Sequence, residues 1–341
     1  MIGYYKKYEL QFKQPAGTSR GVLNTRTVWY LYVEENGRTG LGECAPLPGL
    51  SRETPEQVDF LIEDLCSDPL HFWENKELLL DYPSLRFALE TALLDLQNGG
   101  NRVLYPSAFT EGQAGIPING LIWMGEAEKM RQQVETKLAA GFRCIKLKIG
   151  ALDFEQELSL LQAIRERFSP GEIILRVDAN GGFKVDEAGQ KLELLAKLQL
   201  HSIEQPIVAG HWADMARLCD NTPLPIALDE ELIGLNKRED KALLLDMVRP
   251  QYLVLKPSLH GGISGCDEWI ELAEDRNVGW WITSYLESNI GLNAIAQWAF
   301  TKGVTMHQGL GTGQLFTNNI ESPLEICGEQ LWFDPLKGFG L

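Results

Sequence analysis

The spacing of apolar and polar residues changes near residue 117. Before it, "YYKKYELQF" and "TVWYLYVEENGRTGLGE" read as strands, and Asn36-Gly37 marks a tight hairpin turn inside the second. Helical spacing follows over about 54–66 and 84–98, with Ser84 in the N-cap position and Gly99-Gly100 as the stop. Residues 1–105 therefore predict a small α+β domain. After it, "IPINGLIW", "CIKLKIG", "IILRVDAN", "HSIEQP", "PIALDE", "YLVLKP", "GWWITSY" and "VTMHQG" alternate with amphipathic stretches such as "FEQELSLLQAIRERF". Strands separated by helices predict parallel βα units, and eight of them predict a closed barrel over 106–310. An open doubly wound sheet is the alternative. The remainder, 311–341, reads as irregular and is expected to pack back on the first domain.

One of these strands is unusual. "CIKLKIG" (144–150) carries two lysines at a spacing of two, so Lys146 and Lys148 share a face, opposite Ile145, Leu147 and Ile149. With helices covering the apolar face, both ammonium groups look inward, where each disfavours the other's charge. A sheet edge with solvated lysines is the other reading of these seven residues.

Other charged residues resolve the choice. Lys148, Asp178, Glu204, Asp229 and Lys256 each stand at a predicted strand end, at steps of 30, 26, 25 and 27 residues, one βα unit apiece. All strands of a parallel barrel end at one rim, so these five meet at one mouth. Asp178, Glu204 and Asp229 come from neighbouring strands and repel one another unless a cation sits among them. An all-oxygen donor set favours Mg²⁺, with Mn²⁺ as a substitute. A divalent ion holding a substrate carboxylate, beside a neutral lysine, suits removal of the proton on the adjacent carbon.

Composition narrows the classes further. With 44% hydrophobic residues among 341, the chain can bury a large core. A net charge of −16 disfavours nucleic acid and anionic membrane. The scattered cysteines form no CxxC pair and read as reduced core residues of a cytoplasmic protein. No secretory leader, membrane span or protein partner is legible, and the expected partner is a small-molecule carboxylate. "PAGTSRGV" (15–22) and "PLPGLSRETP" (46–55) read as mobile loops over the mouth, making Thr18 and Arg20 candidate substrate contacts. "GLGTG" (309–313) lacks dinucleotide-binding spacing and reads as a rim loop, with Gly311 and Thr312 offering groups to a substrate carboxylate. Ser284 is a candidate for the substrate tail. Trp280 and Trp281 read as packing, one toward helices and one toward the barrel, and His307 as a core histidine.

"KLK" (146–148), "RVDAN" (176–180), "IEQP" (203–206), "ALDE" (227–230) and "LKPS" (255–258) together resemble the strand motifs of the enolase superfamily, in its muconate-lactonizing-enzyme subgroup. The resemblance spans nearly the whole chain and implies an α/β fold, a modified TIM (β/α) barrel with an N-terminal α+β capping domain. It implies that Lys148 is the base, that Lys146 supports it and lowers its pKa, and that Lys256 stabilises the anionic intermediate from the opposite face. Asp178, Glu204 and Asp229 would be the Mg²⁺ ligands, with Asp229 preferred over its neighbour Glu230. "TSYLESNIGLNAIAQWA", "HQGLGTGQLFTNN", and Arg176 and Asn180 beside Asp178 are similar to the o-succinylbenzoate synthases of menaquinone biosynthesis. That implies a carbon–oxygen lyase acting on 2-succinyl-6-hydroxy-2,4-cyclohexadiene-1-carboxylate, with Arg176 and Asn180 as substrate contacts. An N-succinylamino-acid racemase or dipeptide epimerase using the same site is the alternative, although "MHQGLGTGQLF" lacks the acid pair epimerases commonly carry there. A non-catalytic barrel binding protein is a third reading, disfavoured by the intact lysine and carboxylate set.

Overall fold

The computed structural model of the chain describes residues 1–18, 21–123, 125–150 and 153–340. The first domain opens with strands β1 (Ile2–Thr18), β2 (Gly21–Glu35) and β3 (Arg38–Cys44) in one antiparallel sheet. Asn36 and Gly37 both have positive φ, as the predicted two-residue turn requires. Most of the expected loop 15–22 belongs to the tip of the β1–β2 hairpin instead. Thr18 closes β1, but its side chain, like all of Arg20, lies outside what is described.

Helices α1 (Pro55–Ser67), α2 (Pro69–Glu74) and α3 (Pro83–Gln97) cover one face of this sheet. Thr54 and Gln57 form a capping box at the start of α1. Ser84 is not the cap of α3: Tyr82 holds that position, while Ser84 is the buried second residue of the helix, its N–H donating to Glu53. The proline at 83 starts the helix one residue early. Gly40 and Gly42 allow β3 to lie directly on α3, because a Cβ at either would come within 1.9 Å of an α3 carbonyl.

The short β4 (Ile116–Pro117) precedes the barrel. Its strands are β5 (Gly120–Ile122), β6 (Cys144–Lys148), β7 (Ile174–Asp178), β8 (Ser202–Glu204), β9 (Ile226–Leu228), β10 (Tyr252–Leu255) and β11 (Gly279–Ile282), all parallel and in sequence order. Between them run α4 (Ala127–Ala139), α5 (Phe154–Arg167), α6 (Val185–Ala196), α7 (Trp212–Asn221), α8 (Arg238–Val248) and α9 (Gly262–Glu274), with α10 (Asn289–Thr301) after β11. The expected eighth strand is reduced to two single parallel bridges, Ile118 with Gln308 and Thr283 with Gly309, which link both sheet edges and close the ring.

The closing segment is only partly irregular. Leu315–Thr317 runs antiparallel to β1, whereas β12 (Leu324–Cys327) and β13 (Gln330–Phe333) form a hairpin that pairs with β4 beneath the barrel. Five cysteines are buried and free, but Cys327, on that hairpin, is exposed. Among the described residues no helix is long and apolar enough to cross a membrane.

The first domain is fastened to the barrel by carboxylates set at helix starts. Glu43 of β3 accepts hydrogen bonds from the N–H of Ser288 (2.7 Å) and Gly291 (2.7 Å) and the hydroxyl of Ser288 at the N-terminus of α10. Glu90 of α3 does the same at α9, accepting from the N–H groups of Ile263 (2.6 Å) and Ser264 (3.2 Å). An acid here satisfies the free donors of a helix start and faces the positive end of its dipole.

Burial pushes the Glu43 carboxyl up from 4.5 to about 7, against the lowering effect of these donors. Between those values the folded chain holds a proton that the unfolded chain has released. Its contribution to stability therefore falls as pH rises through that window. Urea unfolding of wild type and Glu43→Gln at pH 5 and pH 7 tests this. The wild type loses stability relative to the variant on going to pH 7; parallel profiles would show that Glu43 does not titrate there.

Candidate active site

Strand register brings the charged residues together. Lys148 of β6 lies opposite Asp178 of β7, which lies opposite Glu204 of β8, so one row across three strands carries a lysine and two acids. Asp229 and Lys256 follow directly after β9 and β10. Ile145, Leu147 and Ile149 are fully buried against the helices, which directs Lys146 and Lys148 inward. β6 lies between β5 and β7, so the edge-strand reading of "CIKLKIG" is wrong.

The acids and lysines interlock. The Lys146 ammonium donates to Glu204 Oε2 at 2.5 Å and lies 3.0 Å from Asp178 Oδ2. Lys148 donates to that same Asp178 oxygen at 3.1 Å and to Asn180 Oδ1 at 2.8 Å. Lys256 donates to Asp229. Burial works against the charge on Lys146, but Asp178 and Glu204 outweigh it and hold its pKa above the ordinary value. Lys256 is raised in the same way, chiefly by Asp229 and Glu204 against burial. Burial likewise opposes ionisation of Asp178, yet Lys146, Lys148 and Lys256 together hold it well below the usual carboxylate range. Glu204 and Asp229 shift upward, burial being the main cause in both.

Three buried oxygens in this group accept no hydrogen bond from the described residues: Glu204 Oε1, Asp229 Oδ1 and Glu230 Oε2. Buried polar atoms are rarely left so. Unpartnered carboxylate oxygens beside Asp178 suit a hard cation that prefers oxygen ligands. As placed here, the described residues do not form a closed cage of three or more acidic, His or Cys ligands, because lysines stand between the carboxylates. The carboxylate oxygens that the lysines leave free, on Glu204 and Asp229, fit a divalent cation beside Asp178.

Above these groups lies a cavity of about 140 Å³. Its floor includes Lys146, Lys148, Asp178, Glu204 and Lys256, and its roof is the first domain's Leu23, Leu47, Pro48 and Leu50. The start of segment 46–55 thus lies over the mouth through Leu47, Pro48 and Leu50, while Thr54 and Pro55 already cap and begin α1. Asn180 lines the cavity and bridges two of its groups, accepting from Lys148 and donating to Glu230 Oε1 at 3.0 Å. Ser284 and Thr312 join hydroxyls at 2.5 Å on the wall, next to Gly311.

Arg176 does not line the cavity. It lies one layer deeper, opposite Lys146 in register, where it donates to the His307 carbonyl at 2.8 Å and stacks 4.2 Å from the Trp281 ring centroid. Its position two residues before Asp178 sets this depth, since a strand rises roughly 3.3 Å per residue. Trp281 faces the barrel and lines the cavity, while Trp280 lies against Glu274. Treating both as packing missed the first; the alternation of the strand distinguishes their faces but not their roles. Glu230 also lines the cavity, because a turn of 3₁₀ helix begins there and breaks the strand alternation that would have turned it away. His307 is half-buried and pairs with Glu329 at 3.1 Å rather than lying in the core. Leu121 and Trp123, which also line the cavity, gave no signal in the sequence beyond an ordinary strand.

A closed parallel barrel whose strand ends carry this lysine–carboxylate set, under an α+β cap, defines a protein of the enolase superfamily. Residues 129–341 match the family model "Enolase C-terminal domain-like", and residues 4–96 match "MenC, N-terminal domain". The chain is 49% identical to an o-succinylbenzoate synthase of Desulfotalea psychrophila, over 95% of this chain and 96% of that one. A crystal structure of MenC from that organism superposes with a TM-score of 0.87 at 44% identity, covering 97% of this chain and 99% of the other. An N-succinylamino acid racemase of Thermus thermophilus is 31% identical over 83% of this chain and 78% of its own. The chain belongs to the o-succinylbenzoate synthase family, a family of carbon–oxygen lyases.

The ring closure beside this site leaves no room for a side chain. A Cβ at Gly309 would come within 2.1 Å of Thr283 Oγ1 and 2.6 Å of Thr283 Cβ. Gly309→Ala therefore overpacks the seam and lowers stability by about 1–3 kcal/mol. Chemical denaturation gives the value; an unchanged midpoint would mean the bridge adapts freely.

Proposed function

We propose that this chain catalyses the syn dehydration of 2-succinyl-6-hydroxy-2,4-cyclohexadiene-1-carboxylate to 2-succinylbenzoate in menaquinone biosynthesis. The observation that carries the reading is the placing of Lys148 and Lys256. They stand at the second and sixth of eight ring positions, opposite one another across the buried carboxylates. The 49% identical synthase supports the choice of reaction.

Asp178, Glu204 and Asp229 would hold Mg²⁺, the ion general in this superfamily, or Mn²⁺ in its place. Bound there, Mg²⁺ supplies fixed positive charge against the negative charge that develops on the substrate carboxylate. Lys148, in its neutral form, takes the proton alpha to that carboxylate, and Asn180 Oδ1 fixes where its nitrogen points. The freed electron pair enters the ring as the carbon–hydroxyl bond breaks on the same face. Protonated Lys148 then gives its proton to the departing hydroxyl, which leaves as water. Atoms balance without an oxidant, and aromatisation drives the step. Lys256, held charged beside Asp229, faces the developing anion from the other side. Lys146, tied to Asp178 and Glu204, keeps those carboxylates in place and offsets their repulsion. The joined hydroxyls of Ser284 and Thr312, with the backbone at Gly311, receive the succinyl carboxylate. The leucine-lined roof excludes water, which strengthens every one of these electrostatic contacts. The reading is of a cytoplasmic enzyme for a small carboxylate, without nucleic acid, membrane or protein partner.

Racemisation of N-succinylamino acids is a second reading, because the opposed lysines reach both faces of a bound carbon and a racemase is among the relatives. The two separate on Lys256. A one-face dehydration needs only its charge, whereas racemisation needs it to exchange protons, which arginine cannot do.

Two experiments test these assignments. Calorimetric Mg²⁺ titration of Asp178→Ala, Glu204→Ala and Asp229→Ala gives affinities weakened by at least about 10–100-fold, the loss usual even for outer-shell partners. Wild-type affinity in any variant removes that residue from the metal set. In a succinylbenzoate assay, Lys148→Ala lowers kcat by about 10²–10⁴-fold or more, the range of general-base catalysis. Lys256→Arg retains a larger share of dehydration than of racemisation. Normal turnover by Lys148→Ala would overturn the base assignment.

A further inference from the structure

Arg26 of β2 is the most deeply buried positive charge among the described residues of the first domain, and the proposed chemistry does not use it. It is 3% exposed. One terminal nitrogen donates to the Ala45 carbonyl at 2.5 Å. Its Nε and its other terminal nitrogen find no hydrogen-bond partner among the described residues. The guanidinium carbon lies 4.9 Å from the ring centroid of Tyr285, which lines the cavity. A buried guanidinium with so few partners is costly, so the contacts it does make matter more.

Those contacts fall on two bodies. Ala45 opens the segment that supplies Leu47, Pro48 and Leu50 to the roof. The segment is wound tightly, with Ser51 N–H donating to the Leu47 carbonyl at 2.9 Å and Leu47 N–H to Ser51 Oγ at 2.9 Å. Tyr285 follows β11 on the barrel rim. Leu47 shares a small apolar cluster with Tyr285, whose hydroxyl lies 3.4 Å from Ser51 Oγ. The Lys256 ammonium is 6.0 Å from the same ring centroid. Arg26 thus touches the roof segment at its root and the rim aromatic on which the roof rests.

We propose that Arg26 is a positioning residue for the roof of the cavity: through the Ala45 carbonyl and the Tyr285 ring it holds segment 45–51 closed over the two lysines. The planar guanidinium serves because it stacks on an aromatic face while donating at its edge, and it is less strongly hydrated than an ammonium. Arginine rather than lysine is therefore required. The inference rests on the proposed dehydration only for its kinetic readout; the structural readout is independent of which reaction the site performs.

The test uses the full chain with Mg²⁺ and the variants Arg26→Met and Arg26→Lys. Hydrogen exchange is followed at the amides of 45–51 and, as a reference, at those of the barrel strands. In Arg26→Met, exchange at 45–51 accelerates about 10–100-fold, as loss of a hydrogen bond from a charged donor allows, while the strand amides keep their rates. KM for the cyclohexadiene substrate rises by a similar factor, and kcat falls less. Arg26→Lys, which keeps a donor nitrogen but no planar stack, lies between the two. Unchanged exchange at 45–51 in both variants overturns the proposal. So does acceleration that merely accompanies equal acceleration in the strands, which would mark a general structural role. If Arg26→Met does not fold, Arg26→Lys carries the same comparison. A wild-type chain inactive on this substrate would refute the proposed reaction, while the exchange data would still decide the role of Arg26.

Discussion

Burying carboxylates next to one another is the constraint on which this molecule is organised. Asp178, Glu204 and Asp229 are almost wholly withdrawn from solvent. Each would be driven toward its neutral form without nearby positive charge. The lysines supply that charge within the fold, and a divalent ion would supply it more compactly. The barrel makes this possible because parallel strands deliver their ends to a single rim. Residues about one βα unit apart in sequence then become neighbours without any side chain having to reach far.

The same constraint explains the different surroundings of the two inward lysines. Lys146 is deeper and tied to two acids at short distance, so its charge is spent on holding them. Lys148, one pleat higher, shares an Asp178 oxygen but also meets Asn180 at the cavity wall. Two residues along one strand thus separate an ammonium tied to two acids from one that also meets an amide at the cavity wall. The isolated position of Glu230 Oε2 belongs to the same setting: an acid left partly unpartnered where positive charge is dense.

Much of this was legible because it follows from strict periods. The strand-end charges and the inward face of "CIKLKIG" depend on a repeat of two along a strand and on one mouth for all strands. The hairpin at Asn36-Gly37 depends on the backbone preferences of those two residues. Features set by tertiary contact were not legible. Arg176 sits in the right strand but at the wrong depth to touch the cavity. The start of α3 was misplaced because Ser84 looks like a cap, while Pro83 and the acceptor Glu53 decide its true role. The eighth strand reduces to two bridges because closure of the ring, not local preference, fixes its path. The leucines of the roof are ordinary apolar residues until the first domain is seen to lean over the barrel.

The carboxylates of Glu43 and Glu90 have a consequence for how such proteins diversify. Each finishes a barrel helix using a residue from the cap, so neither part has a complete set of hydrogen bonds alone. A barrel severed from its cap would expose the bare starts of α9 and α10. An exchange of caps between relatives would succeed only where the incoming piece carries acids at both places. New substrate specificities in this architecture are therefore expected to come through altered loops on an inherited cap more readily than through replacement of the cap itself.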